Sequence, residues 1–213
     1  NLLFIDCDCS IQSENFLQKY FAQLNNAVIY GGRKHHDNPP KNKNKKLRWL
    51  YGINKEDQNF NYRLKNPYHS FRSNNFLIKR TILSQIKFNE KIETYGHEDT
   101  LLSLDLKNNK IAIYQINNPV FHEGIEDNSV FLEKTKSAIK NLVLLEKNIL
   151  DNSSIKLIKT YHLINKLKLT WLIFPLSKTI SKILERQLLS SRPSLIIFDF
   201  YKLIYFLREK QNV

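Results

Sequence analysis

Two short acidic motifs and one histidine carry the chemistry open to this chain. Asp6-Cys7-Asp8 closes an apolar run, Gly96-His97-Glu98-Asp99 opens another, and His122 follows Asn117-Asn118-Pro119. Two carboxylates two residues apart at a strand end can share a hard cation with a diphosphate, because Mg²⁺ and Mn²⁺ prefer oxygen ligands. The same pair could simply end a strand and cap a helix. Glu98 and Asp99 fall in the first turn of a helix carrying Leu101, Leu102, Leu104 and Leu106. There the helix dipole favours a charged carboxylate by about 0.3–1 kcal/mol at an exposed site. That alone accounts for many Glu-Asp pairs, and it also keeps a carboxylate ionised and ready to accept a proton. A neutral imidazole at 122 could ligate a divalent metal, although a lone histidine is more often an ordinary core or surface residue. The three features gain weight together, occurring in one order and each at an element boundary.

The elements that must position them follow from hydrophobic patterning. Leu2-Leu3-Phe4-Ile5 reads as a buried parallel strand that delivers Asp6 at its carboxyl end, where ligands bind in open α/β sheets. Ser13 and Glu14, followed by Phe16, Leu17, Tyr20, Phe21 and Leu24, predict a capped amphipathic helix. Ala27 to Tyr30 predicts the next strand, ended by Gly31-Gly32. Residues 33–70 are polar, basic and aperiodic, and read as a long loop. Further helices are predicted over Asn75 to Gln85, Glu98 to Leu106 and Ser129 to about Asn148, with a third strand over Ile111 to Ile116. The polar stretch Asp151-Asn152-Ser153-Ser154 is the best boundary. The alternation predicts an α/β domain over residues 1–150 and a helical tail over 151–213.

The 213 residues can bury a substantial core. Thirty-three Lys and Arg against 20 Asp and Glu give a formal charge of +13, which attracts polyanions: nucleic acid, anionic lipid or a phosphorylated substrate. The excess sits in Arg33, Lys34, Lys41, Lys43, Lys45, Lys46 and Arg48, and again after Asp151; the middle section, with Gly96-His97-Glu98-Asp99 and His122, is closer to neutral. Cys7 and Cys9 point to opposite faces of a strand and suit neither a disulfide nor a zinc site. A reducing, cytoplasmic setting is expected, and no signal peptide is recognisable.

With Asp6-Cys7-Asp8, Phe71-Arg72-Ser73-Asn74-Asn75-Phe76-Leu77-Ile78-Lys79-Arg80, Tyr95-Gly96-His97-Glu98-Asp99-Thr100-Leu101-Leu102 and His122 in view, residues 1 to about 145 resemble the family 2 glycosyltransferases. The resemblance implies an inverting enzyme of glycosyltransferase A-type fold. It also implies that the chain starts at the Asp-x-Asp motif, lacking the first nucleotide-binding portion. Asp8 would then bind the Mn²⁺ or Mg²⁺ on a nucleotide-diphospho-sugar donor, with Asp6 supporting the donor and His122 completing the metal shell. Asp99 would be the general base and Glu98 would orient the acceptor, with Ser73, Asn74 and Gly96 also on the acceptor side. The acceptor would be a glycan or a lipid-linked glycan of the cell envelope.

The basic segments have separate readings. Gly31 to Asp37 contains two adjacent histidines, whose side chains diverge in an extended chain, so a solvated loop is expected there rather than a metal site. In the tail, Leu176, Ile180, Ile183, Leu184, Gln187 and Leu188 share one helical face and Lys178, Lys182 and Arg186 another. The run from Leu195 to Leu207 is too short, and too interrupted by Asp199 and Lys202, to span ~30 Å of hydrocarbon. Such helices suit either peripheral contact with an anionic membrane or packing against protein. The charge alone would fit a nucleic-acid-binding module. Against that, aromatics are not interleaved with the basic run at 41–46 and no nucleic-acid motif occurs. A non-catalytic remnant of the same fold is the other alternative.

Overall fold

Val28-Ile29-Tyr30, apolar and fully buried, becomes the strand around which the first half of the protein is built. The computed structural model describes residues 1–88, 95–146 and 155–211. Strands and helices alternate in a mixed α/β arrangement: β1 (Leu2–Ile5), β2 (Cys9–Ser10), α1 (Phe16–Phe21), β3 (Val28–Tyr30), β4 (Arg33–Lys34), α2 (Lys46–Tyr51), α3 (Phe60–Lys65), α4 (Pro67–Ser70), β5 (Asn75–Ile78), α5 (Arg80–Gln85), α6 (Glu98–Asn108), β6 (Ile113–Gln115), β7 (Val120–His122), α7 (Asn128–Leu145), α8 (Lys156–Lys166), α9 (Thr170–Ile173), α10 (Ser177–Leu188) and α11 (Leu195–Gln211). The chain forms two compact units. One holds Asn1–Pro39, Tyr51–Lys91 and Glu98–Ile125; the other holds Pro40–Leu50, Ile92–His97 and Glu126–Val213. The expected boundary at 151–154 lies outside the described residues. The last changeover between the units falls between Ile125 and Glu126, which puts α7 with the helices that follow it.

In the first unit a four-stranded sheet runs β1-β5-β3-β6. Side chains alternate across it as the strand period of two requires. Val28, Tyr30, Phe76, Ile78 and Ile113 point to one face, where Leu102 and Leu106 of α6 cover them. Ile29 and Leu77 point to the other, covered by Phe16 and Tyr20 of α1. The pairing of β3 with β6 is parallel and continues beyond Gly31 and Gly32 as the parallel pair β4 and β7. Backbone bonds from Asn118 N–H to the Gly31 carbonyl and from Val120 N–H to the Gly32 carbonyl carry it across the break. There the strands enter a second sheet, β2-β7-β4.

Several sequence expectations need correction. β1 is not a buried parallel strand: among the described residues it pairs only with β5, antiparallel, at the sheet edge, and Leu2 is exposed. Asn75 to Gln85 is not one helix. Phe76-Leu77-Ile78 is buried on both faces as the central strand β5, and the helix starts only at Arg80. α1 starts at Phe16 with Asn15 at its cap, and no side chain caps it. Residues 33–70 are not a loop but hold β4, α2, a π-helical turn at Gly52–Glu56, α3 and α4. Arg63 explains part of this. It is buried on α3, and its guanidinium donates to the carbonyls of Gly31 and Ile116 at 3.1 and 2.9 Å and to Gln115 Oε1 at 2.9 Å. A charged side chain thus does core work that hydropathy patterning does not register.

The second unit is helical. α11 lies against α7, α8 and α10, with Phe198, Tyr201, Leu203, Ile204, Tyr205, Phe206 and Leu207 buried. Ile180 and Leu184 of α10 pack on Leu203, Ile204 and Leu207. The buried Glu146 carboxylate takes Lys210 at 2.7 Å and His162 at 2.9 Å, tying the end of α7 to α8 and α11. The tail is therefore not one amphipathic face. Ile180, Leu184 and Leu188 are packed, while Leu176 and Ile183 face solvent. Among the described residues no helix is long and apolar enough to cross a membrane.

Candidate functional site

The chain passes from the edge of the first sheet to the edge of the second through Asp6-Cys7-Asp8. Asp6 N–H donates to the Asn74 carbonyl at 3.1 Å, ending β1 against the start of β5. Cys9 N–H then donates to the Asp6 carbonyl, turning the chain into β2. In β2 the register sets Cys9 opposite His122 of β7. Asp8 consequently comes alongside His122, with its Oδ1 3.5 Å from Nδ1, although 114 positions separate them in sequence. Glu123 N–H donates to the Asp8 carbonyl at 2.8 Å. Gly124 leaves the room this needs: a Cβ there would run into the Asp8 carboxylate.

Asp99 joins through a different route. It stands in the first turn of α6, and its Oδ1 accepts from Ser73 N–H at 3.0 Å. Ser73 precedes the Asn74 carbonyl that holds Asp6, so one short segment before β5 anchors acids ninety residues apart. Electrostatics record the convergence. Burial pushes the Asp6 carboxyl above its ordinary value, and Asp8 and Asp99 push it further. The opposing charge is Arg33, largely buried on β4 and ion-paired with Glu56 at 2.8 Å. Burial works against its charge, but Glu56, with Tyr30, Asp57 and Asp99 behind it, more than offsets this and keeps it protonated.

Next to Arg33 lies His35, fully buried. Its backbone N–H and its ring Nδ1 both meet the Asp57 carboxylate at 2.7 Å, and its ring stands edge-on to His122 at 5.1 Å. His36 turns the other way, to Glu123 at 3.0 Å. Ser10 Oγ donates to the same Glu123, and the two contacts hold that carboxyl below its usual range. The adjacent histidines diverge as expected, but the expectation of a solvated loop is wrong for Arg33 and His35. Their partners, Glu56 and Asp57, sit more than twenty residues along in a stretch without periodicity, which left no sequence signal.

Can these residues hold a divalent cation? Among the described residues one cluster of potential ligands is found, Asp8, Cys9 and His122, with ligand atoms within 4.8 Å of one another. Burial, then Asp8 and Asp6, push the Cys9 thiol up to about 12, so it is a neutral thiol at neutral pH unless a bound cation draws off its proton. The Asp8 carboxylate and the His122 imidazole, with Asp6 near by, are oxygen and nitrogen donors of the kind that suit Mn²⁺ or Mg²⁺.

Among the described residues, both ends of the buried Asn74 amide and Arg33 Nε lack a hydrogen-bond partner, and His35 Nε2 has only the Glu56 carboxylate at 3.7 Å. Buried polar groups are normally satisfied, so the cluster has the character of a site that a polar ligand completes. Gly96 has another role. It is buried with φ of 116°, and a Cβ there would meet Ala138 Cβ and, at 2.8 Å, Ala138 Cα on α7. The positive φ and the close approach of Ala138 both call for a glycine here. Glu98 lies beside Asp99 in the first turn of α6, half-buried.

Comparison with known proteins gives no match: no family model, no curated protein and no solved structure is significantly similar to this chain.

Proposed function

We propose that this chain carries the metal and base machinery of a glycosyltransferase of the family 2 type, with a glycosyltransferase A-type fold, moving a sugar from a nucleotide-diphospho-sugar to a glycan or lipid-linked acceptor. The observation that carries the reading is the meeting of Asp6, Asp8, Asp99 and His122 from three separate stretches of sequence, next to an unsatisfied Asn74. In this reading Asp8 and His122 hold Mn²⁺ or Mg²⁺, which when bound supplies Lewis-acid stabilisation of the leaving diphosphate. Asp6 faces the donor side of that site. Asp99 is fixed through Oδ1 by Ser73 N–H, which leaves Oδ2 to take the proton of an acceptor hydroxyl as it attacks the anomeric carbon. Glu98 and the free Asn74 amide orient that hydroxyl. Arg33 is the cation that lets three carboxylates share one site before any metal or donor binds.

The second unit supports a place at an anionic membrane face. Residues 155–184 hold Lys156, Lys159, Lys166, Lys168, Lys178 and Lys182 and no acid. Within them Leu163, Leu167, Trp171 and Leu176 are exposed, Trp171 by 69%. Basic segments with exposed Trp and Leu lie in the interface of anionic bilayers. In this reading the protein works at the cytoplasmic surface of a membrane, where a lipid-linked acceptor would be presented.

The test, made in a full-length enzyme that includes the nucleotide-binding portion, is nucleoside diphosphate release over a panel of sugar nucleotides with Mn²⁺, compared with Asp99→Asn. Loss of a general base lowers turnover by ~10²–10⁴-fold, while donor binding measured by calorimetry stays at the parental value. Turnover within a few-fold of the parent would remove Asp99 from the reaction, and full turnover in excess chelator would remove the metal.

A further inference from the structure

A cleft rimmed by charged side chains lies within the helical unit, where α7, α10 and α11 meet. It encloses about 290 Å³ and is lined by Lys136, Lys178, Ser181, Lys182, Glu185, Tyr201, Tyr205 and Arg208. Four cations thus face a single carboxylate. That carboxylate is already engaged: Lys136 Nζ lies 3.3 Å from Glu185 and 2.6 Å from Glu133. Lys178, Lys182 and Arg208 make no ion pair among the described residues. Arg208 stacks over the Tyr205 ring at 5.7 Å, which holds its guanidinium against the wall.

The hydroxyls matter as much as the charges. Ser181 is only 5% exposed, and its Oγ, on the cleft wall, has no hydrogen-bond partner. A helical serine usually returns its proton to a carbonyl one turn back; this one does not. Burial pushes the Tyr201 hydroxyl up to about 12, so it remains a phenol able to donate. Three uncompensated cations and two hydroxyl donors around a space of this size match a tetrahedral, multiply charged oxyanion, for which charge-assisted hydrogen bonds are strongest. Repulsion among Lys178, Lys182 and Arg208 falls when such an anion binds.

We propose that this cleft is a phosphate-binding site, taking either a free phosphate or the phosphate of a lipid headgroup. It does not depend on the sugar-transfer reading, since none of its residues belongs to the acidic site.

The test uses the whole chain. Inorganic phosphate is titrated by calorimetry and by ³¹P line broadening into the parent, Ser181→Ala, the pair Lys182→Gln with Arg208→Gln, and Lys159→Gln as a lysine outside the cleft. Saturable binding is expected. The charge pair should weaken it by about tenfold or more, the scale of one lost charge-assisted hydrogen bond. Ser181→Ala should weaken it less, Lys182→Arg should retain it, and Lys159→Gln should leave it unchanged. Melting curves that match the parent confirm that the variants fold. Phosphatidylcholine vesicles carrying phosphatidic acid are then added to the phosphate complex. Displacement of phosphate identifies a lipid headgroup as the source, and binding without displacement identifies a soluble phosphate; either supports the site. No saturable binding, or equal losses from Lys159→Gln and the charge pair, would overturn it.

Discussion

Gly96→Ala tests whether the glycine of the Gly-x-Glu-Asp motif serves packing or chemistry. Two costs can be read from the structure. At φ of 116° an alanine sits in a region that L-residues rarely adopt, and a sparsely populated backbone conformation costs about 1–3 kcal/mol. Its Cβ would also overlap the Cβ and Cα of Ala138, and overpacking of this kind costs a further 1–3 kcal/mol, roughly. The two together come to about 2–6 kcal/mol, or roughly 10 °C in melting temperature near the middle of that range for a chain of this length. The assay is a double-mutant cycle with Ala138→Gly, followed by thermal and urea denaturation. Ala138→Gly alone costs up to ~1 kcal/mol in a helix interior. It also removes the Cβ from that overlap while the Cα stays, so the double variant should recover part of the overpacking cost, up to about 1–3 kcal/mol relative to the sum of the singles. A Gly96→Ala protein that melts with the parent would refute the packing argument. So would a strictly additive double variant, which would leave only the backbone cost.

Two further outcomes follow from the charges. The folded pKa of Asp6 is raised above its ordinary 3.8, so its ionisation destabilises the native state above that pH and does nothing below it. Asp6→Asn should therefore melt higher than the parent at neutral pH, with the gain vanishing as the pH falls below 4, and Mn²⁺ should raise the parent more than the variant. A constant difference across pH would contradict the repulsion. In the helical unit, vesicles with anionic lipid should shift the emission of exposed Trp171 to the blue. Each lysine near the surface contributes about 1 kcal/mol at low ionic strength, so high salt and Lys166→Gln with Lys168→Gln should reverse the shift. Equal shifts with neutral lipid would remove the electrostatic part of that argument.

The sequence alone determined those features that rest on local patterning. A short apolar run was enough to locate β3, and a leucine repeat behind two acids located α6, because both signals are contained in a few neighbouring residues. The acids and His122 could be picked out by type and by position at element ends. Their meeting could not. Asp8 reaches His122 through the Cys9–His122 register, and Asp99 reaches Asp6 through the backbone of Ser73 and Asn74. Arg33, His35 and Arg63 look like solvated charges in an aperiodic stretch, since hydropathy assigns charge to water. They are buried because Glu56, Asp57 and the strand-end carbonyls compensate them, partners that only tertiary folding supplies. β1 has the composition of an interior strand yet lies at an edge, because pairing order depends on what lies on either side of a strand, and its own residues do not encode that. The aromatic run in α11 could face lipid or protein equally well by composition; packing on α7, α8 and α10 decided for protein.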